Sequence, residues 1–175
     1  MNIYVLITIV IAIIAILALL YFSSYFKLKE YKEKMDKAEN IIDINLNKKL
    51  DIIIAINSEV KKVTNKKDYL KDYTSIRDLI ITNIEKDWKL DEAVKLINNL
   101  VLDYDELTKD KKFKDLLEEL KNTDEVLTSA KNMFNNNAVL SNQTIKLFPN
   151  NIIAKISNFK IRSFYSNKKD ENDTF

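Results

Sequence analysis

The complete absence of glycine is the feature that most constrains the fold of this chain of 175 residues. Tight hairpin turns need residues with positive φ, which glycine supplies most readily, and here only asparagine and aspartate can take that role. The single proline, Pro149, leaves the rest of the chain without that helix breaker. A chain with so few means of turning is expected to form long helices joined by few connections.

The missing residue types also exclude several kinds of active site. The chain has no cysteine and no histidine, so it lacks thiolate nucleophiles, thiolate metal ligands and the commonest general base. Without glycine it cannot build a P-loop or a dinucleotide-binding fingerprint. We therefore predict no cofactor, no metal site and no catalytic residue, and a protein that is not an enzyme. The alternative is a metal-dependent hydrolase that uses only carboxylates and lysines.

Charge is unevenly distributed along the chain, because residues 1–26 contain none of the 28 basic and 26 acidic residues. As a helix, the 20 residues from Ile3 to Phe22 would span about 30 Å, the thickness of the hydrocarbon core of a bilayer. A cleaved signal peptide fits less well, since the run is long and no basic residue precedes it. Residues 1–26 are therefore predicted to be a transmembrane anchor.

Lysines on the C-terminal side of this anchor set its expected orientation. Lys27, Lys29, Lys32, Lys34 and Lys37 follow it, and no lysine or arginine precedes it. The positive-inside rule predicts a single-pass protein of the cell membrane, with the N-terminus outside and the C-terminal domain cytoplasmic. The reversed, envelope-facing orientation is the alternative.

The lipid bilayer is accordingly the first expected partner. Lys27, Lys29 and Lys32 are candidates for contact with anionic lipid headgroups, although a role only in setting the topology is the favoured explanation. Further along the chain acids dilute the lysines almost one to one, so we expect no basic stripe and no binding of nucleic acid.

Beyond the anchor, apolar residues recur at helical spacing in three long stretches. The first continues the anchor helix to about residue 65, the second runs from Ser75 to Asp103, and the third runs from Phe113 to Phe148. The pattern predicts an all-α fold: an N-terminal transmembrane helix, then an antiparallel bundle of three long helices plus a short C-terminal helix. The bundle domain covers residues 27–165, and residues 166–175 are predicted to be a polar, disordered tail.

A structural turn is predicted at Phe148, Pro149 and Asn151. A residue that precedes proline avoids the helical conformation, so Phe148 should end the third helix. Pro149 should then let the short helix fold back onto the bundle. Phe148 itself is expected to pack in the core.

Five polar residues on these helices are candidates for a partner surface or for structural contacts within the bundle: Asp43, Lys48, Asp51, Thr123 and Asp124. Asp43 lies between two isoleucines, which favours a partly buried and paired carboxylate. Thr123 and Asp124 interrupt an apolar stripe, where a buried polar contact would set the helix register. Structural contacts are the favoured interpretation, ahead of partner binding and far ahead of catalysis.

Several motifs resemble the signatures of LemA family proteins. They are Asp43-x-x-Leu46-x-Lys48-Lys49-x-Asp51-Ile52-Ile53, Leu116-Leu117-x-Glu119-Leu120-x-x-Thr123-Asp124 with Ala130, Phe134-Asn135, Tyr104-x-Glu106-Leu107, and Phe148-Pro149-Asn150-Asn151-Ile152-Ile153-Ala154 with Phe159. The resemblance covers about residues 27–165. Glu39, Ile54 and Asp105 depart from the usual Trp, Pro and Pro, so the chain resembles a diverged member.

The resemblance implies a fold and a location more than an activity. A bacterial protein with one membrane helix and a cytoplasmic helical domain is the layout that it suggests. Because no biochemical activity is established for that family, the expected function is a membrane-anchored interaction module. Its protein partners at the membrane are unknown.

Overall fold

The computed structural model describes residues 2–64 and 67–165. Five α-helices dominate these residues: α1 (Ile3–Val63), α2 (Lys71–Thr74), α3 (Asn83–Asp103), α4 (Lys111–Lys146) and α5 (Asn150–Ile156). The described ranges contain no strand. The predicted all-α fold with a long N-terminal apolar helix is confirmed. The predicted disordered tail at residues 166–175 lies outside the described residues.

The helices form two compact units. The first unit consists of residues 2–37 and Met133–Phe164, and the second is built around Ala38–Asn132. Both α1 and α4 contribute to each unit. Ser24 and Leu28 are buried on α1 within the first unit. The predicted boundary between anchor and bundle, after residue 26, therefore falls inside a packed unit.

Apolar stripes on three helices make the core of the second unit. Buried side chains recur every three or four residues, so one face of each helix is apolar. They include Ile42, Leu46, Ile53, Ile56 and Val60 on α1, Leu90, Ala93, Ile97 and Leu100 on α3, and Phe113, Leu120, Leu127 and Ala130 on α4.

Side-chain contacts in the second unit define the directions of these helices. Lys112 at the start of α4 lies 2.7 Å from Glu59 near the end of α1, while Asp124 pairs with Lys49, about three turns earlier on α1. Helix α4 therefore runs antiparallel to α1. Tyr69, after α1, hydrogen bonds to Tyr104, after α3, with 3.1 Å between the hydroxyl oxygens. Helices α1 and α3 thus end together and run parallel, which differs from the expected antiparallel succession.

The late start of α3 explains this parallel pair. The sequence pattern suggested a start at Ser75, but Ser75–Asp78 forms only a 3₁₀ turn and α3 begins at Asn83. A reciprocal cap fixes that start: Glu85 N–H donates to the Thr82 hydroxyl at 3.2 Å, and Thr82 N–H donates to the Glu85 carboxylate at 2.9 Å. Residues 67–82 therefore form a connection long enough for the chain to run back along α1 before α3 begins.

The turn between α4 and α5 lies in the first unit. Helix α4 ends at Lys146, and Asn151 N–H donates to the Leu147 carbonyl at 2.8 Å as the chain enters α5. The Asn151 side-chain oxygen accepts from Ile152 N–H at 2.8 Å. The Asn150 amide oxygen also accepts a hydrogen bond from the Ser24 hydroxyl, which ties the turn to α1.

Phe148 does not pack in the core, so the expectation for this residue is wrong. Its side chain is 79% exposed, and the residues that this corner buries are Ile153 and Ala154 of α5. The buried face of α4 ends at Thr144. After the turn, the next side chains that point into the core belong to α5.

Phe148→Ala is expected to lower the free energy of unfolding by less than about 1 kcal/mol, because little apolar surface is withdrawn from water at this position. Ile153→Ala is the matched control, with an expected loss of about 2 kcal/mol or more from its buried site. Urea unfolding of both variants in detergent measures the difference. A loss at position 148 as large as that at 153 would contradict the exposed placement.

Candidate functional site

Lys49 is a buried cation in the core of the second unit. It lies on the apolar stripe of α1, three residues after Leu46 and four before Ile53, so helical geometry directs it inward. Its side chain is 1% exposed, and Nζ lies 2.7 Å from Asp91 Oδ1 and 2.6 Å from Asp124 Oδ1. Burial lowers the pKa of Lys49, but hydrogen bonds to the two carboxylates outweigh it and raise the pKa above its usual value.

A second buried ion pair joins α3 to α4, and its aspartate lies four residues before Asp91. Asp87 Oδ2 accepts a hydrogen bond from Lys131 Nζ at 2.8 Å, and the two side chains are 7% and 20% exposed. Burial raises the pKa of Asp87, and the ion pair with Lys131 offsets this only in part. The other carboxylate oxygen of Asp87 is buried and has no hydrogen-bond partner among the residues that the structure describes.

These five residues form what we term the charge cluster: Lys49, Asp87, Asp91, Asp124 and Lys131. It contains three carboxylates and two ammonium groups, which join α1, α3 and α4. A lysine with a raised pKa stays protonated at neutral pH, so Lys49 is a fixed charge and a poor nucleophile or base. Among the described residues, no group of three His, Cys, Asp or Glu side chains could hold a metal ion.

A groove beside the charge cluster has a volume of about 770 Å³. Ten residues of α3 and α4 line it: Val94, Asn98, Leu117, Leu120, Lys121, Asp124, Glu125, Thr128, Ser129 and Asn132. The volume lies within the range of small-molecule and peptide-anchor sites. Two acids reach the groove, but Asp124 is already held by Lys49. The mixed apolar and polar lining can accommodate an apolar side chain of a partner.

The three candidates on α1 lie on its surface. Asp43 is exposed, so the expectation of a partly buried carboxylate is wrong, because only the flanking Ile42 faces the core. Lys48 forms a half-exposed ion pair with Glu119 at 3.0 Å. Asp51 pairs with Arg77, and both side chains are exposed. Such solvated pairs contribute little to stability.

Thr123 and Asp124 have different roles on α4. Thr123 is buried, but its hydroxyl donates to the Glu119 carbonyl of its own helix at 2.8 Å, so it makes no register-setting contact between helices. Asp124 makes the contact between helices through Lys49. The five sequence candidates therefore do not meet in one site. The sequence analysis missed Lys49, Asp87, Asp91 and Lys131. A signal was available for Lys49, because it is a charged residue at a position of the apolar stripe of α1.

In the first unit, the lysines proposed to contact lipid headgroups lie on the surface of α1. Lys27, Lys29 and Lys32 are exposed. Lys29 lies 3.8 Å from Glu33, a separation typical of a weak solvated pair. Their exposure leaves the ammonium groups accessible.

Asp87→Asn is expected to remove the loss of stability that ionisation of Asp87 causes as pH rises above about 4. Because the folded pKa of Asp87 is raised, its stabilising contribution is present below the unfolded value of about 3.9 and is lost as pH rises through the folded pKa. At pH 7 the buried charge is therefore a cost, which the amide removes. The stability of the variant relative to the parent protein should decrease as pH falls through the folded pKa of Asp87 and become constant below about 4, as measured by urea unfolding at several pH values. A gain that grows with acidification would contradict the raised pKa.

The comparison with known families agrees with the motifs quoted above. A model of the LemA family matches residues 38–174. A search of curated proteins finds no match to this chain. Because the family match covers well over half of the sequence, including the charge cluster and the α4–α5 turn, the chain belongs to the LemA family.

Proposed function

We propose that this LemA family protein is a single-pass membrane protein whose helical bundle is a non-enzymatic interaction module on the cytoplasmic side. The observation that carries the proposal is the exposed apolar start of α1. From Ile3 to Leu20 its side chains are exposed, and α1 is long and apolar enough to cross a membrane. Apolar surface of this extent is stable only when lipid or protein covers it.

Continuity of α1 supports an anchor that belongs to the same helix as residues of the bundle core. The same helix continues without interruption to Val63, and its later turns carry the buried stripe and Lys49. Lysines at positions 27, 29, 32, 34 and 37 favour placement of the following residues in the cytoplasm.

The ion pairs of the carboxylates in the charge cluster support an interaction module rather than a hydrolase. Asp91 and Asp124 share one protonated lysine, and Asp87 pairs with Lys131. Carboxylates held in this way order helices and are not free to act as general bases. The groove between α3 and α4 offers a surface for a partner, with apolar Val94, Leu117 and Leu120 for its anchor side chain.

Single-cysteine variants test the topology, because the chain has no native cysteine. Asn2→Cys should react with a membrane-impermeant maleimide in intact cells. Leu102→Cys, at a position 80% exposed, should react only after lysis. Labelling of Leu102→Cys in intact cells would reverse the proposed orientation. Recovery of the parent protein in the soluble fraction would contradict the membrane anchor.

Carboxylate variants test the non-enzymatic role. Asp124→Asn and Glu125→Gln change the two acids that line the groove, and Glu119→Gln is a surface control. For a module, any phenotype should follow the loss of melting temperature or of partner capture from membranes. One variant with unchanged melting temperature, unchanged capture and a null phenotype would favour catalysis, since a lost catalytic acid costs orders of magnitude in rate with the fold intact.

A further inference from the structure

The charge of the C-terminal part of the first unit is one-sided. Met133–Phe164 contains no aspartate or glutamate, although the whole chain has 26 acids, and it contains Lys146, Lys155, Lys160 and Arg162. The three lysines are exposed. A segment with cations and no acid is complementary to an anionic partner.

The same segment exposes large apolar side chains. Leu147, Phe148, Ile152 and Ile156 are 60%, 79%, 51% and 70% exposed. Ile152 and Ile156 are four residues apart and share one face of α5. We refer to residues 146–164 as the basic corner. Apolar side chains flanked by lysines are the composition of a segment that lies in a membrane interface.

Contacts within the first unit place the basic corner beside the end of the apolar span of α1. The Tyr21 hydroxyl lies 3.4 Å from the Ser157 hydroxyl, and the Ser24 hydroxyl donates to Asn150. The rings of Tyr25 and Phe159 meet edge to face at 5.8 Å. Since 20 residues of α1 from Ile3 fill a hydrocarbon core of about 30 Å, α5 contacts the turn of α1 where the hydrocarbon core ends.

A further contact holds the chain after α5 in place. The backbone N–H of Arg162 donates to the Asn142 side-chain oxygen at 2.9 Å, and its carbonyl accepts from the Asn142 amide at 2.8 Å. The Arg162 guanidinium lies over the ring of Phe134, 5.7 Å from its centre. The basic corner is thus fixed to α4, and its exposed side chains are presented by an ordered backbone.

We propose that the basic corner is a second membrane contact, which inserts into the anionic lipid surface at the point where α1 leaves the bilayer. Leu147, Phe148, Ile152 and Ile156 enter the boundary between headgroups and acyl chains. Lys146, Lys155 and Lys160 contact anionic headgroups. The proposal rests on the proposed membrane anchor, since it takes the bilayer depth from the span of α1.

The position of the corner favours lipid over a protein partner. A surface fixed within one or two turns of the end of a transmembrane helix meets lipid headgroups without any further association step. Anionic headgroups match Lys146, Lys155 and Lys160, and lipid accepts irregular apolar side chains without shape complementarity. Glu33 and Asp36 of α1 line a groove with Lys160 and Arg162, so the uniform charge belongs to the segment and not to the whole surface around it. The contact would hold the first unit against the membrane at two points, and so limit its rotation and tilt.

Depth-dependent quenching of a fluorophore tests the proposal on the full chain. Single-cysteine variants at Phe148, Leu102 and Ile14 carry an environment-sensitive dye, and the protein is reconstituted into phosphatidylglycerol or phosphatidylcholine vesicles. Nitroxide lipids report shallow or deep contact. We expect the dye at 148 to lose most of its emission to the shallow quencher in phosphatidylglycerol. Leu102 has matched exposure, 80% against 79%, and its dye should be unaffected.

Charge variants of the basic corner, together with the dye at Ile14 in the apolar span of α1, distinguish the possible results. Changing Lys146, Lys155 and Lys160 together to Gln should reduce quenching at 148 in phosphatidylglycerol but leave quenching at Ile14 by the deep probe unchanged. Quenching at 14 without quenching at 148 would overturn the second contact and leave the anchor intact. A dye at 148 shielded from iodide but not quenched by lipid would show a protein cover and overturn the proposal. No quenching at 14 would overturn the anchor itself.

Discussion

Replacing Asp91 and Asp124 together with asparagine is expected to lower the free energy of unfolding by about 3–5 kcal/mol at pH 7. The double change leaves the Lys49 ammonium in the core without a carboxylate, and the side chain is only 1% exposed. A buried charge without a counter-ion has a large desolvation cost, which two amides cannot offset. Circular dichroism during urea unfolding of the detergent-solubilised protein measures the loss.

A third substitution should restore most of the lost stability. Lys49→Met replaces the ammonium with an apolar side chain of similar length, so the triple variant has no uncompensated charge in the core. Replacing a whole buried ion pair with apolar residues is often neutral. Lys49→Met alone should cost less than the double change, because Asp91 and Asp124 are 39% and 36% exposed and water can hydrate them.

The neighbouring residue Lys48 provides the control. Its pair with Glu119 is about half exposed, so Lys48→Met should change stability by less than about 1 kcal/mol. The pKa of Lys49 is raised, so its stabilising contribution is complete below the unfolded value of about 10.4 and is lost as pH rises through the folded pKa. Measurements at pH 7 therefore record all of it. Equal effects of Asp91→Asn/Asp124→Asn and Lys48→Met would contradict a buried cluster.

Periodicity was enough to predict that three long helices form, although not where α3 begins. The 3–4 spacing from Ile42 to Val60, and again from Phe113 to Phe134, follows directly from 3.6 residues per turn, and those residues are buried. The lack of glycine correctly indicated long helices. Motifs spread from Asp43 to Ala154 indicated the family, because they combine residue type with spacing over most of the chain.

The path between the helices could not be predicted in the same way. A capping pattern is short, and Ser75 with Asp78 looks much like Thr82 with Glu85; only the latter forms a reciprocal cap. The later start leaves residues 67–82 as the connection before α3. Neither a parallel nor an antiparallel α3 leaves a distinct periodic signature, since both bury the same stripes.

The charge cluster was missed for a different reason. Lys48 and Lys49 are adjacent, and helical geometry turns successive residues by about 100°, so one is exposed and the other buried. Placing Lys49 on the stripe of Leu46 and Ile53 identifies the buried one. The partners of Lys49 were harder to find. They depend on the relative register of α1, α3 and α4, which cannot be predicted from the pattern of one helix.

On the proposed membrane anchoring, removing residues 2–20 is expected to leave a protein that high salt or alkaline carbonate extracts from the membrane. The deletion takes away the exposed apolar start of α1 but retains Tyr21, Ser24 and Tyr25, which contact α5 and the residues after it. The helical content of the remaining chain should therefore persist. Fractionation and circular dichroism of residues 21–175 test both parts of the expectation.

A longer deletion separates anchoring from packing. A fragment that begins at Lys27 also lacks the hydrogen bond from Ser24 to Asn150 and the ring contact of Tyr25 with Phe159. Trypsin should then cut after Lys155 and Lys160 faster than in the 21–175 fragment, while the second unit keeps its helices. A fragment from Lys27 that is mostly coil would contradict the expectation that the second unit folds without the contacts of residues 21–26.

Both deletions should produce a stronger cellular phenotype than any single carboxylate change. A helix that confines the bundle to a thin layer beside the membrane raises its effective concentration toward membrane partners by orders of magnitude. The shorter deletion keeps the groove lined by Val94, Leu117 and Leu120, so its intrinsic affinity for a partner should be unchanged. Fusing an unrelated transmembrane helix before Tyr21 should then restore function. Failure of that fusion to restore function, with the protein folded and in the membrane, would mean that the apolar segment itself recognises a partner in the bilayer.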